Sequence, residues 1–386
     1  MPVEAATDDG VGEAVAEPEL PSVAADLGLV EALENAIRPA LERPPCHVLF
    51  SGGRDSSVIL AAAVRVARRD GLPLPLPTTH VFSDHPETDE LDWQQMVLSH
   101  LKLTEHIRQH FGSELNLLGP AIRESVRRHG VLAPAGAHLL TPTLTIAGGG
   151  SIVTGIDGDG VFNGGGFGPP RASIATRRPS WRLPRSAARA AAPRGLRRIV
   201  ARSRLPAAPE WLRADVAAEY LDLRAREVAS EPFRWDAYLR WLARRRRLAR
   251  IRQSVALLAA SHDVQVAHPF LDGQFLAVLA RDGGAWGWGD RTRTLAAVFG
   301  SLLPARVLTR TTKAIFTRPY WGGDVKEFAR EWTGTGLPDE LVDSTVLRTI
   351  WLADWPDART GLLLHAAWAA SLAPDERPQF IDCRLE

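Results

Sequence analysis

The stretch Ser51-Gly52-Gly53-Arg54-Asp55-Ser56-Ser57 is the strongest indication of the fold in this sequence. It follows an apolar run at 47–50, which predicts a strand, and precedes an alanine-, valine- and leucine-rich run at 58–69, which predicts a helix. Glycine lets a backbone turn bring amide groups close to an anion, and a helix N-terminus adds partial positive charge. The stretch therefore predicts a phosphate-binding loop, in which Asp55 would reach phosphate through Mg²⁺. A plain glycine turn with Ser and Asp capping the helix is the alternative.

The segments around this loop continue the alternation. Helices are predicted at 26–43 and 87–101, and strands at 79–83, 104–109 and 151–154. Strands that alternate with helices form a parallel sheet covered on both faces, so the sequence predicts an α/β fold. The C-terminal part, 210–386, is mainly helical in pattern.

Composition excludes several classes of protein. The chain has 386 residues and a formal net charge of +1, which is typical of a soluble globular protein, and we expect a cytoplasmic location. Cys46 and Cys383 form no CxxC or CxxH pair, which excludes a disulfide scaffold. The acidic, alanine-rich residues 1–25 predict a disordered tail and have no signal-peptide pattern. Residues 133–156 carry no charged side chain, but their prolines and glycines favour a buried helix and strand over a membrane span.

An arginine-rich segment, 171–209, holds eleven arginines and no acidic residue. We expect an exposed insertion that is either simply solvated or attracts an acidic peptide, a carrier-bound acid or RNA. Positive charge elsewhere also comes from arginine, because the chain has only three lysines. Lys313 is one of them, and its compact ammonium suits an oxyanion, although an exposed loop lysine is the alternative.

Glycines and carboxylates alternate again in TGIDGDGVFNG, residues 154–164. The glycines allow close backbone approach, and Asp157 and Asp159 provide two hard oxygen ligands for a cation. An EF-hand calcium loop is excluded because Val161 and Gly168 stand at ligand positions. A surface Asp/Gly turn is the alternative.

A further motif, HPFLD at 268–272, has a mainly structural interpretation. Pro269 limits the entry to a helix, Asp272 caps that helix, and Phe270 and Leu271 pack against the core. His268 is interpreted as a hydrogen-bonded polar neighbour and not as a catalyst.

Together these motifs resemble the synthetase domain of the asparagine synthetase family, which includes β-lactam synthetases and lasso-peptide cyclases. SGGRDSS is similar to the SGGxDSS PP-loop, TGIDGDGVFNG to SGEGxDELFGG, HPFLD to RxPFLD, and the segment from Arg310 to Lys313 to RxxK. The resemblance covers about 47–320. It implies that 26–386 form an α/β, parallel-sheet core of the PP-loop ATP pyrophosphatase type (adenine nucleotide alpha hydrolase-like) with additional C-terminal helices.

The resemblance also implies ATP and Mg²⁺ as cofactors. Asp55 and Asp159 would hold Mg²⁺ on the pyrophosphate, and Lys313, with Arg310 nearby, would contact the α-phosphate and the tetrahedral intermediate. The nucleotide would lie against Leu49, Ser51, Gly52, Gly53, Ser56, Ser57, Phe82, Thr154 and Gly155.

The implied reaction is carbon–nitrogen ligation, in which a carboxylate is adenylated with release of pyrophosphate and an amine then displaces AMP. Within 154–164, Ile156 and Gly160 replace glutamates of the family pattern, and Asp157 replaces a glycine. The first glutamate is tied to the ammonia step in asparagine synthetases. The basic residue that precedes PFLD in the family has no clear match here. Only 50 residues precede Ser51, and position 2 is proline, so we expect no N-terminal glutaminase domain.

These departures favour an amine that belongs to the substrate itself, as in cyclisation or ligation of a peptide or metabolite. The other option is that a partner protein replaces the missing domain. Three alternatives stay open: glutamine-independent amidation like that of asparagine synthetase, a non-catalytic scaffold, and an RNA-modifying PP-loop enzyme.

Overall fold

The protein is described by a computed structural model that covers residues 6–8, 10–12, 19–178, 183–312 and 314–377. Its centre is one parallel sheet with strands β1 Cys46–Leu49, β2 Leu76–Phe82, β3 Ile107–Phe111, β4 Ser151–Val153 and β5 Gln265–Ala267. Their order across the sheet is β3-β2-β1-β4-β5. The predicted α/β class is confirmed.

Helices make up most of the remaining described chain. The α-helices are α1 Leu29–Leu41, α2 Arg54–Asp70, α3 Leu91–Leu101, α4 Pro120–His129, α5 Thr141–Ile146, α6 Gly158–Asn163, α7 Gly168–Ala175, α8 Leu183–Ala191, α9 Arg194–Arg204, α10 Ala214–Ser230, α11 Trp235–Ala243, α12 Arg246–Ala260, α13 Gly273–Gly283, α14 Arg291–Phe299, α15 Ala305–Leu308, α16 Thr317–Tyr320, α17 Gly323–Glu331, α18 Ser344–Leu352 and α19 Gly361–Ser371. Short 3₁₀ segments lie at Pro86–Thr88, Ala135–Leu140, Gly165–Phe167, Pro269–Leu271 and Ala358–Thr360.

The strands are buried on both faces. Successive residues of a strand point to opposite faces. In β4, Val153 belongs to a core cluster with α1, α2 and α13, whereas Ile152 belongs to a cluster with α5 and α12. This two-sided burial explains why the apolar residues at 48–50 and 152–153 are adjacent, without a polar alternation. The polar residues that flank them, His47, Ser151 and Thr154, are themselves buried.

The strand order reverses at β1. The chain passes from β1 through β2 to β3 at one edge, then returns to the other side of β1 to form β4. Ligands of open parallel sheets bind at the carboxyl ends of the strands where the order reverses. Both predicted glycine loops leave the sheet at this point, because 51–57 follows β1 and 154–160 follows β4.

The N-terminal segment differs in part from the predicted disordered tail. The Trp211 indole donates a hydrogen bond to the Ala6 carbonyl, at 2.9 Å, and Val11 is 2% exposed. Ala6 and Val11 belong to a core cluster that also includes residues of α4, α18 and α19. A disordered tail does not describe residues 6–8 and 10–12, whereas 1–5, 9 and 13–18 lie outside the described residues.

The arginine-rich segment, expected to be an exposed insertion, is helical, and among the described residues of α8 and α9 only Ala201 is buried. It spans the end of α7 together with α8 and α9, while residues 179–182 lie outside the described part of the chain. Arg171 is 1% exposed and donates to the Phe167 carbonyl at 3.2 Å. The expectation fails for Arg171 because several carbonyls and Glu231 surround its guanidinium.

The uncharged segment 133–156 forms a 3₁₀ turn, α5 and β4, as predicted. Within the described ranges, no helix combines the length and the apolar character needed to span a bilayer.

Candidate active site

The loop after β1 is held by its own serines. The Ser56 hydroxyl accepts from the Ser51 amide at 3.3 Å and donates to the Gly53 carbonyl at 3.1 Å. Gly52 has φ 81, in the left-handed region, and Gly53 is the N-cap of α2. The first amides of a helix have no intrahelical acceptor, so the loop presents anion-binding donors at the sheet edge.

The loop after β4 approaches the first loop through a glycine. A Cβ at Gly158 would lie only 2.5 Å from Cγ of Asp55, closer than real Cβ contacts allow. A Cβ at Gly155 would lie 3.2 Å from the Ser56 amide nitrogen. The glycines predicted to allow close approach therefore do so, and Asp159 follows directly in the first turn of α6.

One arginine joins the two predicted metal ligands. Arg291 Nη2 lies 2.7 and 2.6 Å from the two carboxylate oxygens of Asp55, and Nη1 forms an ion pair with Asp159. Burial raises the pKa of Asp55, and the Arg291 guanidinium opposes that shift. The structure thus brings Asp55 and Asp159 together, with the Arg291 guanidinium between them.

Two departures from the family pattern are physically linked. Asp157 has φ 61, a conformation that glycine adopts readily and that aspartate tolerates better than most residues. Its carboxylate lies over Gly160, and a Cβ at position 160 would be 2.5 Å from Asp157 Oδ2. The same carboxylate forms an ion pair with Arg247. Burial raises the pKa of Asp157, and Arg247 opposes this. A side chain at position 160 is incompatible with this placement, so the loop carries its second carboxylate at 157.

The two loops border a cavity of about 750 Å³. The predicted site residues that line it are Leu49, Ser51, Gly53, Asp55, Ser56, Thr154, Gly155, Asp159 and Arg310. Among described residues, Gly52, Ser57 and Phe82 do not line it; Phe82 instead packs edge-on against Tyr320, with 5.6 Å between ring centroids. Lys313 lies outside the described residues.

Arg310 stabilises the loop after β1 through buried contacts. Its Nη1 donates to the Gly52 carbonyl at 2.8 Å and lies 2.5 Å from the Glu90 carboxylate. The guanidinium also lies over the Trp93 ring, 4.4 Å from the centroid. The side chain is 2% exposed. These contacts are those of a positioning residue, and direct contact of Arg310 with a reacting group stays a prediction.

The HPFLD segment supports the second loop. The Asp272 carboxylate accepts from the Phe275 amide at 2.9 Å as the N-cap of α13, which confirms its predicted role. His268 Nδ1 lies 2.7 Å from the Thr154 hydroxyl, and burial lowers the pKa of His268 to about 4. His268 is therefore neutral at pH 7 and orients Thr154.

We expect His268 to make the fold less stable in mild acid. An unfolded histidine, with a pKa near 6.5, takes up a proton before folded His268 with its pKa of about 4. This contribution to stability is present above about pH 6.5 and is lost as the pH falls towards 4. Urea unfolding at pH 7 and pH 5 should therefore show a smaller loss for His268→Gln than for the unaltered chain. The exposed His110→Gln is the control, and equal losses in all three proteins would contradict the expectation.

We expect Gly158→Ala to displace the Asp55 carboxylate. The added methyl group would occupy the space 2.5 Å from Asp55 Cγ, and a shift of about 1 Å in a catalytic group can lower a rate about 100-fold. Nucleotide turnover measures the effect. The control is Gly323→Ala, because no heavy atom lies within 4 Å of a Cβ there. Equal turnover by the two variants would show that the close approach has no role.

The donor set fits Mg²⁺ that is shared with a nucleotide. In the described residues no cluster of three or more His, Cys, Asp or Glu could hold a metal alone. Mg²⁺ commonly takes one or two carboxylates and completes its shell with phosphate oxygens and water. Asp55 and Asp159 could supply that pair once Arg291 moves aside or turns towards phosphate.

Sequence reasoning missed Arg291, Glu90 and Arg247, which is the ion-pair partner of Asp157. Arg291 is one of many arginines, and its only local signal is Asp290, whose carboxylate caps α14 by accepting from the Arg293 amide. Arg247 belongs to the conspicuous run 244–247, but nothing in that run indicates its distant partner.

A phosphate-type loop after β1 and a carboxylate loop after β4, at the strand-order reversal, define a nucleotide-binding α/β protein with a PP-loop core. The family model described as asparagine synthase matches residues 28–371. The chain therefore belongs to the asparagine synthase family, whose synthetase domain uses ATP. No curated protein matches it significantly.

Proposed function

We propose that this chain is an ATP-dependent ligase that adenylates a carboxylate, releases pyrophosphate and allows an amine of the same substrate to displace AMP. The observation that carries the proposal is the convergence of Asp55 and Asp159 with the helix N-terminus of α2 on one cavity. A triphosphate needs both features: donors for its oxygens and carboxylates for its cation.

Charge at this site is arranged for loss of pyrophosphate. The loop amides and the N-terminus of α2 bind anionic oxygens, while Arg291 lies next to both carboxylates and can follow the negative charge as it develops. Bound Mg²⁺ would supply further charge neutralisation for the leaving pyrophosphate. His268 holds Thr154 in the loop after β4, where we place the AMP moiety of the nucleotide.

The source of nitrogen is inferred from Ile156. This side chain lines the cavity at the position where the family pattern has the glutamate tied to ammonia. An apolar side chain offers no charge to an ammonium ion, so an amine carried by the substrate is the better nucleophile. A peptide or metabolite with both a carboxylate and an amine meets this requirement.

Isotope transfer tests the proposal. Candidate peptides and acids from neighbouring gene products, labelled with ¹⁸O in the carboxylate, are incubated with the protein, ATP and Mg²⁺. Adenylation transfers one ¹⁸O atom from the carboxylate to AMP when the amine displaces it. Incorporation of ¹⁵N from added ammonium would instead support amidation, and ¹⁸O in inorganic phosphate with ADP as product would overturn adenylation.

A further inference from the structure

A second cavity, of about 620 Å³, shares no lining residue with the nucleotide cavity. It lies among α9, α10 and α11, and arginine dominates its wall. We call it the arginine cleft and define it by Arg194, Arg198, Arg226, Arg240 and Arg244. No acidic residue is among the side chains that line it.

Carboxylates near the cleft balance only part of this charge. Asp222 forms ion pairs with both Arg198 and Arg226, the latter at 2.7 Å. Asp236 lies 3.8 Å from Arg240 but is closer, at 2.8 Å, to Arg234 outside the cleft.

Arg194 and Arg244 are exposed, and neither forms an ion pair within the described ranges. Like charges held together repel, so an anionic ligand would stabilise this arrangement. The planar guanidinium fork matches carboxylates and phosphates.

None of the other described arginines of 171–209 lines the cleft, and two of them point away from solvent. Arg189 lies over the Phe167 ring, 3.8 Å from its centroid, and Arg197 donates to the Glu231 carbonyl. Both are therefore turned towards the protein. Nucleic-acid backbones are bound along extended basic grooves or stripes. A compact cleft instead suits a short anionic segment.

Apolar side chains lie beside the cleft. Leu196 is 51% exposed and Ile199 is 68% exposed, both on α9. Ile199 follows the cleft residue Gly195 by four positions, so the two share one face of the helix. Exposed aliphatic groups beside clustered arginines match a peptide with acidic and apolar side chains better than a phosphate backbone.

We propose that the arginine cleft binds an acidic peptide segment that also carries apolar side chains. Helix α11 connects this cleft to the nucleotide site. It carries Arg240 on the cleft, and the Tyr238 hydroxyl on the same helix donates to the Gly160 carbonyl at 2.7 Å. We assign the bound segment to the substrate, in a part of it that is distant from the reacting carboxylate, and this assignment rests on the proposed function. Binding of an acidic peptide to the cleft does not depend on that function.

Fluorescence anisotropy without ATP tests the binding. The probe is a labelled twelve-residue peptide, Glu-Glu-Leu-Ser repeated three times; its Gln-Gln-Leu-Ser counterpart and a twelve-nucleotide single-stranded RNA are the comparisons. We expect the acidic peptide to bind most tightly and Arg194→Glu/Arg244→Glu to weaken it about tenfold or more. The control is Arg204→Glu, which reverses an exposed charge on α9 outside the cleft and should leave the affinity nearly unchanged.

Charge reversal gives a second measurement. The double variant should prefer a Lys-Lys-Leu-Ser repeat to the acidic repeat, and thermal unfolding verifies that it is folded. The proposal is overturned if the acidic peptide does not bind, if the double variant binds it as well as the unaltered protein does, or if RNA binds more tightly through the same arginines. Because ATP is absent, these outcomes are independent of the isotope-transfer result.

Discussion

Asp55→Asn and Asp159→Asn are each expected to lower pyrophosphate release about 1,000-fold. Asparagine keeps the shape of the side chain and removes the negative charge that a cation on the triphosphate requires. Loss of one element of such a preorganised charge arrangement typically costs 100- to 1,000-fold in rate, and removal of a full charge is expected to lie at the upper end. Release of pyrophosphate and formation of AMP are measured with the substrate identified by isotope transfer.

Binding and chemistry should separate in these variants. Each substitution removes one carboxylate from Arg291 and leaves its guanidinium partly unpaired, ready to attract a triphosphate. Affinity for α,β-methylene ATP should therefore stay within several-fold of the original value while turnover collapses. The control is Asp354→Asn, whose side chain is 84% exposed at a surface ion pair. Unchanged turnover in both site variants would contradict the assignment of the two aspartates.

Arg310→Met is expected to lower the free energy of unfolding by about 3–5 kcal/mol, the usual cost of removing one partner from a buried ion pair. Glu90, whose side chain is 8% exposed, would lose its ion-pair partner, and the Gly52 carbonyl would lose a donor. Chemical denaturation measures this loss. The double variant Arg310→Met/Glu90→Gln should recover part of it, because the uncompensated carboxylate is then gone.

An exposed ion pair provides the matched control. Lys326 lies 2.9 Å from Asp354, with side chains 29% and 84% exposed, so Lys326→Met should cost at most about 1 kcal/mol. If Arg310→Met costs no more than Lys326→Met, the buried pair does not stabilise the loop after β1. If the double variant is less stable than Arg310→Met, burial of an unpaired Glu90 carboxylate is not the cause of the loss.

Local features of the site were predictable because they depend on local chemistry. Glycines and serines at 51–57 form the turn into α2, and Asp272 caps α13, as sequence patterns predict for such residues. Element boundaries were less exact. The strand predicted at 104–109 is Ile107–Phe111, and the helix predicted from 87 begins as a 3₁₀ turn, with α3 starting at Leu91. Such ends depend on packing that a short sequence window does not contain.

Phe82 illustrates the limit of inference from strand position. It ends β2, where the resemblance implies that adenine lies against the main chain, and that contact stays a prediction. The Phe82 ring does not line the cavity and packs among Phe111, Phe316 and Tyr320. Successive residues of a strand point to opposite faces, so assignment of a strand end does not by itself assign the direction of a side chain. Thr78, Thr79 and His80 of the same strand line the cavity.

Neighbours along the chain were enough to predict the α/β class, the two glycine loops and the aspartates that follow them, because turns, helix starts and apolar runs are local features. Tertiary contacts alone place Arg291 between Asp55 and Asp159, pair Arg310 with buried Glu90, and bring arginines from α9, α10 and α11 into one cleft. These partners are far apart in the chain. Arginine is abundant in this sequence, so residue type alone could not identify the members that meet a carboxylate.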